Sequence, residues 1–305
     1  MIIQSITDIL NFRYCPGKYL KRWDQIYPGD PSYIQTTLTE FPKIFNHFKL
    51  VIHKDGYYVN KNNLSDDVFC VNNIEMIKTL PNIIEKSKLN TFNNLICCGE
   101  DANLGGSGIL SVLNEIKHQF KKIYYEAKNV ECDFVQTIPM GMNVAYMLRN
   151  DSQSVLKYIN GHNNKTKLIG SAFGSKWPQL NNKPDRCALR EFTQQSHFMD
   201  DMFCDPLDYY KQLSQYKFFA APLGAGIQTP KICESIMCNT IPVVTDHITH
   251  RELCNYYDLP LLIVNKWSDL TEDFLNEQWE NKYSKINWEE QKEKFLVTNF
   301  NQLLN

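Results

Sequence analysis

Long apolar runs are what this sequence most plainly lacks. None of them approaches the roughly 18–20 residues that a membrane-crossing helix needs. The opening MIIQSITDIL has neither the basic flank nor the sustained apolar core of a signal segment. A soluble, cytoplasmic protein is therefore the expectation. Charge of one sign is also scarce: 32 Lys and Arg against 34 Asp and Glu leave a formal net charge of −2. The charges are scattered, which excludes a dominant nucleic-acid or membrane-binding face, and a cluster such as Lys18, Lys21 and Arg22 reads as solvated surface. The 10 cysteines include no CxxC pair, so reduced thiols are expected, and vicinal Cys97 and Cys98, following Leu95 and Ile96, read as the end of a buried strand. No DxD triplet occurs. His247 and His250 lie three apart without a third ligand at recognisable spacing, so they read as capping or surface residues and no metal or other cofactor is expected.

What the chain does have is ordinary globular composition, 43% apolar over 305 residues, enough for two cores of about 150 residues each. Short apolar segments near 50–53, 68–71, 95–98 and 122–125 alternate with helical patterns near 74–86 and 109–119, the signature of a parallel α/β sheet. The polar stretch 160–165 has neither period and precedes a fresh strand at 166–170. The expected division is 1–160 and 161–305. Alternation then resumes, with helices at 186–193 and 249–256 and strands at 218, 241 and 260–264, and residues 288–304 read as one amphipathic helix.

The most informative stretch is 217–245, KFFAAPLGAGIQTPKICESIMCNTIPVVT. Phe218 to Ala221 suit a buried strand, and Gly224 and Gly226 form a loop where backbone can approach a ligand. Thr229 can cap a helix whose first position is Pro230. At 100° per residue Ile232, Cys233, Ile236 and Met237 share one arc, so Lys231 and Glu234 are expected to face away from the core. A helix N-terminus behind a glycine loop favours a diphosphate, Lys231 adds a full positive charge, and an ionised Glu234 can accept hydrogen bonds from two ribose hydroxyls.

The order G-x-G-x-x-T-P-K-x-x-E-S-I followed by I-P-V-V resembles the signature of exostosin-type glycosyltransferases of the GT47 kind. The resemblance implies α/β GT-B architecture, two Rossmann-like domains facing across a cleft, with the last helix crossing back onto the first domain. It also implies an inverting transfer from a nucleotide-sugar donor, a UDP-sugar by expectation, to a hydroxyl of a glycan or glycoprotein acceptor. Animal exostosins are membrane-anchored; with no such span here, a soluble virus- or microbe-type member is expected, in the host cytoplasm if viral.

More weakly, TKLIGSAFG at 166–174 is similar to the strand opening the family's donor domain. Arg186 and Arg190 lie four apart on one helical face, where either could reach a donor phosphate or simply face solvent beside nearby acids. Lys176 is a further phosphate candidate. In the first half, 93–108 reads as a strand delivering Glu100 and Asp101 to the carboxyl edge of the sheet. The family carries an acid there, although its aromatic and histidine neighbours are absent, and which of the two is the catalytic base stays open; Asp101 could equally cap the turn. Two other readings remain: a sugar-nucleotide epimerase on the same architecture, and a non-catalytic glycan-binding protein that has kept the fold.

Overall fold

The computed structural model describes residues 2–10, 12, 43–53, 56–59, 65–87, 92–106, 108–142, 152–161, 164–172, 183–202, 204, 208–224 and 226–304. The first half builds a sheet from β1 (Leu50–His53), β2 (Gly56–Val59), β3 (Val68–Val71), β4 (Asn94–Cys98), β5 (Lys122–Tyr125) and β6 (Val135–Thr137). Its spatial order is β2-β1-β3-β4-β5-β6. The edge strand β2 pairs antiparallel with β1, and the remaining pairs are parallel. A parallel sheet must be covered on both faces, and the strands alternate accordingly. Leu95 and Cys97 point into a core shared with α1 (Ile74–Ser87) and α2 (Ile109–Ile116), while Ile96 and Cys98 point into another. Cys97 and Cys98 are thus the buried strand end that the sequence predicts.

The second sheet contains β7 (Lys167–Ser171), β8 (Met199–Asp201), β9 (Tyr216–Ala220), β10 (Ile241–Thr245) and β11 (Leu262–Val264), in the order β11-β10-β9-β7-β8 and parallel throughout. The chain reaches it through α3 (Ser152–Asn160). Phe218 and Ala220 face a core lined by α4 (Pro184–Gln195) and α8 (Glu272–Asn281). Phe219 and Ala221 face the opposite side, with α5 (Tyr209–Leu213), α6 (Lys231–Met237) and α7 (Ile248–Tyr257). That second core holds Phe69, Ile96 and Tyr124 of the first sheet together with Phe219, Ile236 and Val244 of the second. One apolar interior therefore runs through both halves, and two α/β sheets stand where the sequence expects them.

The end of the chain packs against residues of the first half. Phe300 meets the edge of Phe12 at 5.9 Å and of Phe48 at 5.6 Å, and the Tyr124 hydroxyl donates to the Leu304 carbonyl. It is not the single helix expected over 288–304, however. α9 (Trp288–Glu293) stops, a 3-10 turn covers Val297–Asn299, and α10 is only Phe300–Leu303. The interruption has a partner: Leu10 N donates to Phe295 O at 2.6 Å, and Ile9 and Leu296 form an antiparallel bridge. Extended backbone at Leu296 (φ −89°, ψ 138°) satisfies the amino-terminal segment, which a continuous helix with its own groups paired could not do.

Candidate functional site

In the second sheet the strand order reverses between β7 and β9: the chain winds from β7 out to β8 on one side and from β9 out to β10 and β11 on the other. Loops leaving such neighbours part in opposite directions, and the crevice between them at the carboxyl edge is where α/β sheets bind ligands. The glycine loop leaves β9 at this point. Ala221 N still pairs with Val243 O at 2.8 Å, after which the loop folds on itself, Gly224 N donating to Gly226 O at 2.9 Å.

Two adjacent side chains in the first turn of α4 hold this loop. Leu223 N donates to Asp185 Oδ2 at 2.7 Å, and Arg186 Nε donates to Leu223 O at 3.1 Å. Asp185 Oδ1 also accepts from Trp267 Nε1 at 2.7 Å, tying the loop to the turn after β11. Arg186 thus lies along the glycine loop. A Cβ at Gly224 would sit 3.3 Å from Arg186 Nη2, so a side chain there would crowd the guanidinium.

Across the loop, Lys231 N donates to Thr229 Oγ1 at 3.2 Å, so Thr229 does serve the start of α6, which begins at Lys231 rather than Pro230. The expected exposure of Glu234 is overturned, while Lys231 is half-buried. Glu234 is 3% exposed and every residue from Ile232 to Met237 is buried. The cause is α5, whose Tyr209 covers the face that helical periodicity leaves over: its hydroxyl donates to Glu234 Oε2 at 3.0 Å, and Lys231 Nζ stands 5.8 Å from its ring centroid. Burial and the Glu234 carboxylate push the Tyr209 pKa upward.

Burial lowers the Lys231 pKa, Glu234 opposes that shift, and the Arg186 charge adds to it. Burial likewise lowers that of Arg186, with Asp185 opposing and Arg190 adding. Arg186 is therefore near enough to repel both Lys231 and Arg190. An anion brought among them would relieve that repulsion. Lys176 lies outside the described residues.

The acids of the first half follow β4. Gly99 has φ +106°, and a Cβ on it would lie 2.7 Å from the Phe12 carbonyl oxygen, so only glycine makes this bend. Beyond it Glu100 and Asp101 are half-buried at the carboxyl edge. Glu100 N donates to Asn72 Oδ1, and Glu100 Oε2 accepts from Asn73 Nδ2 at 2.9 Å.

Gln228 joins the two edges. It is 2% exposed, and its Nε2 donates to Glu126 O and Ile138 O, both at 2.7 Å, while its Oε1 accepts from Met140 N at 3.1 Å. The glycine loop therefore meets the chain just beyond the carboxyl ends of β5 and β6. Its apolar side chains Leu223 and Ile227 pack into the first half's outer core. A second tie lies alongside: Lys128 Nζ pairs with Glu252 Oε1 of α7 at 2.6 Å, and Thr137 N donates to Glu252 Oε2 at 2.9 Å.

The histidines behave as capping and core residues. His247 Nδ1 accepts from Thr249 N at 3.2 Å at the start of α7. His250 is fully buried, its Nδ1 hydrogen-bonded to Thr245 O at 2.8 Å, and burial lowers its pKa to about 4. Among the described residues no group of three or more His, Cys, Asp or Glu is arranged to hold a metal, and no helix is long and apolar enough to cross a membrane.

The sequence reading missed Asp185, Tyr209, Gln228 and Glu126. Asp185 alone carried a signal, an acid beside Arg186 in the first turn of a helix after a proline.

No protein-family model matches the chain, and no curated protein matches it. Among solved structures, the Anabaena protein HepE, crystallised in complex with UDP, aligns over 78% of this chain and 77% of its own length, at 12% identity and a TM-score of 0.44. A likeness this loose assigns neither a site nor a chemistry.

Proposed function

We propose that this chain is a glycosyltransferase that takes a sugar from a nucleotide-sugar donor, a UDP-sugar, and passes it to a glycan hydroxyl with inversion. The exostosin-type kinship suggested by the 217–245 signature is part of this reading, as is the division of labour between a first domain over 1–160 and a second over 161–305. What supports it above all is the position of the cations. Arg186 holds the glycine loop at Leu223 and Lys231 opens the helix that follows it, at the strand-order reversal of the second sheet, with Arg190 near Arg186, a place and charge that suit a diphosphate.

In this reading the diphosphate lies along Gly224 to Thr229, and Glu234 receives the ribose hydroxyls. Asp101, or Glu100 in its place, takes the proton of the acceptor hydroxyl. The freed oxygen attacks the anomeric carbon as the bond from that carbon to the diphosphate oxygen breaks. The departing diphosphate carries the developing negative charge, and the three cations stabilise it without a metal ion.

A panel of nucleotide sugars, assayed for release of free nucleotide with and without glycan acceptors and in the presence of a chelator, tests the proposal. Release that one donor supports, that an acceptor accelerates and that the chelator leaves intact is expected. Turnover of the sugar nucleotide without an acceptor and without nucleotide release would favour the epimerase reading. Complete loss in chelator, restored by Mg²⁺ or Mn²⁺, would overturn the metal-free part.

A further inference from the structure

The two regions that the proposed reaction needs, the glycine loop and the acid-bearing turn, lie on different sheets, yet one short path of hydrogen bonds joins them. Gln228 sits in the glycine loop, three residues before Lys231, and spends all three of its contacts on backbone groups of the first half: Glu126 O, Ile138 O and Met140 N. Glu126 continues the path from its other end. Its carboxylate, 1% exposed, accepts from Gly99 N at 2.7 Å and from Cys98 Sγ at 2.6 Å. Gly99 is the bend that delivers Glu100 and Asp101.

We infer that Gln228 and Glu126 form a positioning relay that fixes the acid-bearing turn against the diphosphate loop. This inference rests on the donor reading above. Neither residue touches the reacting atoms. The relay sets the separation between a group that would take a proton and the group that would leave.

The geometry favours this over a purely packing role. A buried amide used only to satisfy its own polarity could pair within its loop, whose backbone is close at hand. Gln228 instead reaches two carbonyls and one N–H that belong to the ends of two different strands of the other sheet, and its donor and acceptor atoms are both used. Because Glu126 is held at its main-chain oxygen by Gln228 and holds Gly99 with its side chain, a shift of the glycine loop on binding a ligand moves an anchor of the acid turn. Misplacing a catalytic group by about 1 Å costs on the order of 100-fold in rate.

The test compares wild type with Gln228→Leu and Gln228→Glu. Leu keeps the bulk and loses every hydrogen bond; Glu keeps the acceptor facing Met140 N but presents an oxygen to the two carbonyls. The probe is UDP. Amide hydrogen exchange is followed at residues 97–101 and 221–234 with and without it, and UDP affinity is measured by calorimetry. In wild type, UDP is expected to slow exchange in both segments. In both variants it is expected to slow exchange at 221–234 only, with affinity changed by less than about threefold and turnover of the donor identified by the nucleotide-sugar panel reduced roughly 10- to 100-fold.

Protection of 97–101 that persists unchanged in Gln228→Leu overturns the relay while leaving the donor site standing. UDP that protects neither segment of the wild type overturns both. Should Gln228→Leu fail to fold, Gln228→Glu carries the same comparison, and a fall in affinity equal to the fall in turnover would show Gln228 to be a plain donor-loop support.

Discussion

Glu234→Gln separates the two things Glu234 is asked to do. The carboxylate is 3% exposed and accepts the Tyr209 hydroxyl at 3.0 Å, and it favours the charged form of Lys231 against the effect of burial. Gln preserves the shape and an oxygen for Tyr209 but removes the charge. A hydrogen bond to a charged acceptor is worth about 1.5–3 kcal/mol and to a neutral one about 0.5–1.5, so the tyrosine contact should lose about 1 kcal/mol and the melting temperature should fall. If the same carboxylate receives two ribose hydroxyls, UDP binding should lose about 2–3 kcal/mol, roughly 30- to 150-fold in Kd. Titration calorimetry with UDP, well below the melting temperature, reads this directly. Tyr209→Phe is the control, since it removes the tyrosine donor and leaves the charge; it should lower stability and leave UDP affinity within about threefold. A Glu234→Gln protein that is less stable but binds UDP as wild type does would refute the reasoning and make Glu234 a buried partner of Tyr209 alone.

Other outcomes follow from the same geometry. Asp101→Asn should lower turnover by about 10²–10⁴-fold with donor affinity nearly intact; if it is normal and Glu100→Gln is not, the base is Glu100, and if both are active the turn is structural. His250 stays neutral in the fold down to about 4, whereas the unfolded chain takes up that proton near its ordinary value of about 6.5. The unfolded state then binds more protons across that interval, so this contribution to stability is complete above about pH 6.5 and is lost toward pH 4, by about 3 kcal/mol. Denaturant unfolding at several pH values should show a flatter dependence in His250→Asn, and an identical slope would exclude His250 as its source.

Much of the scaffold can be read from the residues because parallel strands are buried on both faces. VFCV at β3 and IPVVT at β10 announce themselves as short apolar runs between turn residues. β2 and β8 do not: GYYV pairs on one side only, at an edge, and MDD carries two exposed acids. The burial of Glu234 was hidden for a different reason. Periodicity tells which face of a helix meets the sheet and says nothing of a second layer, and here Tyr209, 25 positions earlier, supplies one. The break in the final helix was equally invisible, since the spacing of Phe295, Leu296 and Phe300 fits a helix and only the Ile9 to Leu10 segment explains why the chain extends. Gly224, Thr229 and Lys231 could be grouped from motif and spacing because they lie within about ten residues of one another, whereas no spacing announces that Arg186 will meet Leu223, 37 positions on. Gln228 and Glu126 could not, because a polar residue in a loop carries no mark of the distant strand end it will meet.

The diphosphate is proposed to bind where Arg186 and Lys231 meet the glycine loop. This is tested most directly by titrating UDP and uridine side by side into the wild type and into Lys231→Met. Wild type is expected to bind UDP at least about tenfold more tightly than uridine, since a single charge-assisted contact is worth about 1.5–3 kcal/mol, and most of this preference should be gone in Lys231→Met. UDP and uridine bound equally, or a preference for UDP untouched by the substitution, would contradict it.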